Sequence, residues 1–317
     1  MKYLSVKQTA EKWGISGTMV RRYCVQGRIS NAIQKEDGWK IPANAKKPSG
    51  VNEPPKKKKE QSKLVKKLLR QKKKKGFHGL YDYVQINLTY SSCRMASNRL
   101  TRKQVERIFR KGKVNEMFEA VKVSDVVEAM NHCLCVDHIL MHVMEPLSVK
   151  SIKQLHQLLT NGTVDVRLNR VTPGEFRTAT SARKESFALE AKAINAELKE
   201  LIEEYEQSDD KTVEDILDFH VRFERIFPFD DCNGRIGRLI MFKECLRNDV
   251  MHFILDDKRR ARYLEGIRSW DEDRAIFLEV VAEAQERFAH QISQQDLLEH
   301  EMAFAPQTGE VEDVRLR

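Results

Sequence analysis

Apolar residues in the second half of the chain recur three and four apart. From Phe187 to Tyr205 they are Leu189, Ile194, Leu198, Leu201 and Ile202. From Val213 to Phe227 they are Ile216, Leu217, Phe219, Phe223 and Ile226. From Ile276 to Phe288 they are Leu278, Val280, Val281 and Ala284. That spacing puts one apolar stripe on each of several amphipathic helices, and few segments alternate with the period of two that a strand needs. The best hairpin signal is in 171–188, where Pro173-Gly174 and several threonines favour a turn between short strands. The expected body is an all-α bundle with one small β-hairpin.

The first 50 residues have a different rhythm. Ser5 is placed to cap a short helix that Gly14 stops, and Ser16 to cap a second helix carrying Val20, Arg21, Arg22 and Tyr23. A helix, a tight turn and a basic helix form a helix-turn-helix pattern. Asp37-Gly38-Trp39-Lys40-Ile41-Pro42 reads as a short strand after a turn, placed like a wing. Residues 50–76, with Pro54-Pro55, Lys56–Lys59 and Lys72–Lys75, read as a basic linker. A solvated tether and a phosphate-contacting arm are the two readings of that linker. Its Leu64, Val65, Leu68 and Leu69 have helical spacing, enough for one or two turns. The expected organisation is therefore a head at 1–49, a linker at 50–76, a helical body at 77–302 and a frayed tail at 303–317.

Charge sharpens this division. The 317 residues carry a net +9, yet residues 1–76 hold 22 Lys and Arg against 5 Asp and Glu, a balance of +17. The remainder holds 34 against 42, a balance of −8. Such asymmetry predicts a nucleic-acid-binding head on a mildly acidic body. No apolar run approaches the ~20 residues of a membrane span, and the N-terminus lacks a signal-peptide core. The six cysteines read as reduced thiols rather than a disulfide framework. A cytoplasmic protein is the expectation.

The chemistry concentrates in Ile226-Phe227-Pro228-Phe229-Asp230-Asp231-Cys232-Asn233-Gly234-Arg235-Ile236-Gly237-Arg238, between two helical patterns. Pro228 breaks the first helix, and Asn233-Gly234 permits an unusual turn. The next helix then starts with free N–H groups and two arginines, which suits an anion such as polyphosphate. Asp231, just ahead, is placed to hold a Mg²⁺ that neutralises the phosphates.

This segment resembles the signature of the Fic (Fido) family, His-Pro-Phe-x-Asp/Glu-Gly-Asn-Gly-Arg-x-x-Arg. Pro228, Phe229, Asp231, Asn233, Gly234, Arg235 and Arg238 agree in register. The resemblance implies an all-α Fic bundle that transfers AMP from ATP to a protein hydroxyl. It implies Mg²⁺ on Asp231, the α- and β-phosphates on Asn233, Gly234 and Arg235 beside Gly237, and the γ-phosphate on Arg238. It also makes 171–188 a flap that docks a target protein. Three positions depart from the pattern. Phe227 stands where the family has its general-base histidine, and Cys232 where it has a glycine. Near Tyr90 the family's inhibitory helix, Ser-x-x-x-Glu, is matched by Ser92 but has Ala96 in place of the glutamate. Base and brake are both absent, so the family's transfer reaction is expected to be weakened or lost. His220 reads as a packed or exposed helix residue, Cys232 as a small buried residue rather than a nucleophile, and Tyr263 as a candidate wall of the base site.

The head resembles the winged helix-turn-helix of excisionase and MerR-like proteins. By that resemblance Arg21, Arg22 and Tyr23 contact DNA, and Lys7, Arg28 and Lys40 contact phosphates. The leading reading is an ATP-Mg-binding, DNA-linked regulator. The alternatives are an active nucleotidyltransferase with a non-standard base and a DNA-binding scaffold without nucleotide chemistry. Self-association as a homodimer is compatible with the sequence.

Overall fold

Ser5 opens the first helix through a reciprocal capping box: its Oγ accepts from the Gln8 N–H (3.2 Å), and its own N–H donates to Gln8 Oε1 (2.9 Å). The structure, a computed structural model, describes residues 3–15, 17–25, 27–35, 38–47, 60–74, 79–113, 121–178 and 190–304. It divides into two compact units, Met1–Lys59 and Glu60–Arg317. In the first unit β1 (Tyr3–Ser5) leads into α1 (Val6–Trp13), which Gly14 ends in the left-handed conformation at φ 63°. Then follow α2 (Gly17–Val25), β2 (Ile33–Lys35) and β3 (Gly38–Pro42). The strands form an antiparallel sheet in the order β1-β3-β2, with Leu4 opposite Ile41 and Gln34 opposite Trp39.

A small core of Ala10, Met19, Val20, Tyr23, Cys24, Ile29 and Ile41 holds this unit together. Tyr23 therefore departs from the sequence expectation. It lies three residues after Val20, on the inward side of α2, and is only 7% exposed, with the Arg28 guanidinium 4.9 Å from its ring centre. Its ring packs in this small core instead of standing out on the exposed side of α2. Lys7, Arg21 and Arg28 are exposed and Lys40 is half-buried on β3; the Arg22 side chain lies outside the description.

In the second unit α3 (Lys63–Lys73) comes first. The sequence reads this stretch as part of a solvated linker, but Val65 and Leu68 are fully buried in the main core. Gln71 Oε1 accepts from the Tyr81 N–H at 2.8 Å, and Lys72 pairs with Asp137 at 2.7 Å. Lys63, Lys66 and Lys73 are exposed beside the apolar face, while Lys67 and Lys72 are half-buried and paired with Asp296 and Asp137. All of 50–59 and of 75–76 lie outside the described residues, as does the tail from 305.

The body continues with α4 (Leu80–Met95), α5 (Arg102–Lys111), α6 (Val123–Met141), α7 (Val149–Thr160) and the short α8 (Val164–Arg167). Then come α9 (Ile194–Tyr205), α10 (Val213–Ile226), α11 (Asn233–Arg247), α12 (Arg260–Ser269) and α13 (Ala275–Phe304). Helix α11 is buried around nearly its whole circumference, from Arg235 through Leu246. One core gathers α3, α4, α6, α7, α9, α10 and α11; a second, around Trp270, Phe277, Val281 and Phe253, joins α10 and α11 to α12 and α13. Among the described residues no helix is long and apolar enough to cross a membrane.

The hairpin expected over 171–188 is described only as far as Thr178. That part is a turn at Pro173-Gly174 followed by strandless chain, and 179–189 lie outside the description. The crossing of α12 and α13 depends on Gly266, where a Cβ would sit 2.6 Å from Phe277 Cβ and 2.9 Å from its Cα. Backbone on that side has no rotamer to change. Gly266→Ala is expected to cost about 1–3 kcal/mol through overpacking, outweighing its gain in helix propensity. A lowered urea midpoint at constant m-value is the measurement.

Candidate functional site

Helix α10 begins at a capping box between Thr212 and Asp215 and ends where Phe227 turns into the left-handed region at φ 50°. Pro228 carries no N–H and cannot extend the helix. The chain re-enters helix at Asn233 through Cys232, which is also left-handed at φ 69°. Two non-glycine residues in this region cost about 1–2 kcal/mol each, so the loop must be held from outside. Asn233 holds it from α11: its Nδ2 donates to Phe229 O (2.8 Å), and its Oδ1 accepts from the Phe229 N–H (2.9 Å). Arg177 holds it from the 171–178 strip: its N–H donates to Pro228 O (2.9 Å) and its Nε to Phe227 O (2.7 Å). The His156 ring stacks on Phe229 at 3.9 Å, and its Nδ1 accepts from the Gly174 N–H at 2.9 Å.

The loop and the start of α11 form one wall of a cavity of about 540 Å³. Cys232 provides no capping acceptor for α11, so the positive end of the helix faces the cavity without a side chain of its own across it. Arg235 and Arg238, both under a tenth exposed, stand one turn apart on that helix. Arg235 is held by Glu128 of α6 (2.9 Å) and lies 3.5 Å from Asp231. Burial pushes the Glu128 carboxyl above its usual range, and Arg235 pulls it back in part. Arg238 Nε donates to Ser92 Oγ (3.1 Å), and its Nη2 donates to Ser92 O (2.9 Å). The Arg238 guanidinium stands 5.9 Å from the centre of the Tyr263 ring. The far wall comes from Met95, Ala96 and Ser97 at the end of α4 and from Arg260, Tyr263, Leu264 and Ile267 of α12.

Phe227, Asp231, Asn233, Gly234, Arg235, Arg238 and Ala96 thus line one space. Ser92 lies just behind, on the last turn of α4, and supplies to Arg238 the acceptor that Ala96 lacks. Gly237 faces the other way. A Cβ there would be 2.6 Å from the His220 ring, which is fully buried and bonds Tyr263 Oη through Nε2 at 2.8 Å. The missing Cβ lets α11 approach the His220 ring, and Gly237 is not among the residues lining the cavity. Asn233 differs in a similar way: both ends of its amide are taken by the Phe229 backbone, so it shapes the loop.

His220 is not a spare base, since burial lowers its pKa to about 3 and Tyr263 occupies one nitrogen. Cys232 is no activated thiol either, since burial pushes it up to about 12 despite Arg235 alongside. Glu128, Asp165, Glu224 and Arg260 were not visible from the motif. Glu224, three residues before Phe227 on the same helix, had a local signal in that spacing. Glu128 had none, because α6 reaches the site only through the tertiary fold.

Asp231 is half-buried and lines the cavity. Mg²⁺ keeps several waters and takes one or two carboxylates with phosphate oxygens. Asp231 fits that donor set when shared with a polyphosphate. Among the described residues no group of three His, Cys, Asp or Glu is placed to hold a metal unaided.

Residues 146–245 match the Fic/DOC family. Comparison with curated protein sequences gives no match. Among solved structures the chain is similar to a Fic domain-containing signalling protein from Bacteroides thetaiotaomicron, at 18% identity and TM-score 0.57, over 73% of this chain and 95% of that one. It is also similar to Fic-1 from C. elegans, at 17% identity and TM-score 0.56, over 73% of this chain and 69% of that one. At these identities the likeness is one of fold. The family match over 146–245 and these structural likenesses agree that the helical body has the fold of Fic proteins.

Proposed function

We propose that the body binds ATP with Mg²⁺ in the α11 cavity and that the AMP transfer typical of Fic-domain proteins is weakened or lost. The observation that carries this is the pairing of an arginine-lined, uncapped helix start with a phenylalanine at the cavity rim where the transfer chemistry needs a base. Gly234, Arg235 and Arg238 take the phosphates, and Asp231 shares the Mg²⁺ with them. The metal, when bound, neutralises phosphate charge. Arg235 arrives already partnered by Glu128, so its geometry is set before the nucleotide enters. Phe227 can neither accept a proton from a target hydroxyl nor hold a water in that place. The strip beside Arg177, with the rest of 171–188, is the docking edge for a protein target.

The basic N-terminal unit acts as a winged helix-turn-helix head, with Arg21 and Arg22 on the DNA and Lys7, Arg28 and Lys40 on phosphates. The whole chain is then a cytoplasmic regulator in which nucleotide state sets DNA binding. DNA affinity of the full chain with and without ATP-Mg tests the link. A shift of at least a few fold is expected, and equal affinities would remove the coupling.

A further inference from the structure

The end of α6 carries two imidazoles and a carboxylate that neither the core nor the α11 cavity uses. His138 is half-buried and His142 exposed, one helical turn apart. Their ring centres stand 4.4 Å from each other, with the planes tilted by 36°. His142 Nδ1 meets Glu145 Oε1 at 2.8 Å. A carboxylate only accepts, so in the neutral ring Nδ1 bears the proton and Nε2 keeps its lone pair. Metal-binding histidines are typically held in this way, the second ring nitrogen donating to a carboxylate. The backbone beneath is fixed. The His142 N–H closes α6 on His138 O and Ile139 O at 3.1 Å each, and the Glu145 N–H donates to His142 O at 3.1 Å. The Glu145 carbonyl accepts from the buried Lys243 of α11. Lys243 is in turn paired with buried Glu244 at 2.9 Å, which balances its charge beside the two rings.

We propose that His138 and His142 form a binding site for a divalent first-row transition metal ion, with water in the remaining positions. Histidines four apart on a helix are the pair that helical zinc sites use. A metal–nitrogen bond of ~2.1 Å puts the ion about 3.2 Å from the ring centre, so two rings at right angles on one ion have centres about 4.6 Å apart. The His138 and His142 rings already stand within a few tenths of an ångström of that separation. The negative end of the α6 dipole adds to the attraction for a cation. Imidazole nitrogens select copper, nickel or zinc over magnesium, which takes oxygen donors. The site thus differs in chemistry from the one at Asp231, and the inference is independent of the nucleotide reading. Two protein donors, half the set of a structural zinc site, give roughly half its binding free energy, or dissociation constants from about 1 to 200 μM.

Isothermal titration of Ni²⁺ into the full chain, carrying no purification tag, tests it. Nickel suits imidazole and, unlike Cu²⁺, does not oxidise thiols. One equivalent is expected to bind in that range. His138→Ala and His142→Ala should each weaken it about tenfold or more, with circular dichroism unchanged. Glu145→Ala should weaken it about tenfold, because the His142 ring loses the acceptor that orients it. His290→Ala, at an exposed histidine of α13, should leave it unchanged. A natural chain that takes up no nickel below millimolar concentration would overturn the proposal. Uptake that is equal in the natural chain and His142→Ala would overturn it as well, since the ion would then sit elsewhere on the chain.

Discussion

Phe227→His is expected to convert a silent nucleotide site into one that labels protein. With ATP labelled on the α-phosphate and Mg²⁺ present, the natural chain should leave little or no label on itself or on lysate proteins. The variant should label about 10²–10⁴-fold more, the usual contribution of a positioned general base. The geometry favours this outcome. Residue 227 lines the same cavity as Asp231, Gly234 and Arg238, and its carbonyl is already fixed by Arg177 Nε at 2.7 Å. A histidine tolerates the left-handed backbone at φ 50° at least as well as phenylalanine does. Equal labelling by both chains would mean that another group acts as base, and Glu224 would be the first to replace. No labelling by either would count against productive placement of the nucleotide.

The second large effect is on stability in acid. His132, His220 and His252 are held by burial at pKa values of about 3, and His156 at about 4. Unfolding exposes them to water, where histidine titrates near 6.5. Their folded pKa values are depressed, so the stability is fully present above about pH 6.5 and is lost as pH falls toward the folded values, because the unfolded chain binds the protons. Each histidine removes about 1.4 kcal/mol per pH unit once its unfolded form is largely charged. Asp82 works in the opposite direction, since burial and Glu106 raise its carboxyl to about 6, but the Arg110 guanidinium at 2.6 Å and solvent screening keep its offset to no more than one histidine's share. The net loss between pH 6 and pH 5 is about 4 kcal/mol, a large share of the ~5–15 kcal/mol typical of a domain. Urea unfolding at pH 7, 6 and 5 measures it. His252 has neither ring nitrogen bonded and packs edge-on against Phe242 and Phe288, so His252→Leu should flatten the pH dependence by about one histidine's share. Stability that stays level from pH 7 to pH 5 would show that these rings are not held neutral.

What the sequence disclosed follows from the range of the interactions. The Pro228–Arg238 segment is legible because its turn is made within a dozen residues, by a proline, an asparagine that clamps its own loop and the arginines of the next turn. Helix α10 is legible from its stripe and from Thr212 with Asp215. Segment 63–73 reads as part of a tether because lysines dominate it, yet two fully buried side chains, Val65 and Leu68, are enough to seat α3 in the core. The resemblance to winged helix-turn-helix proteins puts Tyr23 on DNA with Arg21 and Arg22, whereas a helix turns about 100° per residue and that rotation carries the ring inward beside Val20. Glu128 lies 107 positions before Arg235, and Ser92 lies 146 before Arg238. Contacts of that range appear only once the fold has formed. The same holds for Gly237, whose motif position suggested phosphate and whose neighbour is the His220 ring.

The central claim is that ATP-Mg occupies the α11 cavity on its arginines. Isothermal titration of ATP with Mg²⁺ into the full chain and into Arg238→Ala, both checked for folding by circular dichroism, tests it most directly. The account predicts one-to-one binding by the natural chain and a loss of about tenfold to a hundredfold in the variant, the worth of a charged hydrogen-bond donor. Absence of binding by the natural chain, or equal affinity in the two proteins, would contradict it.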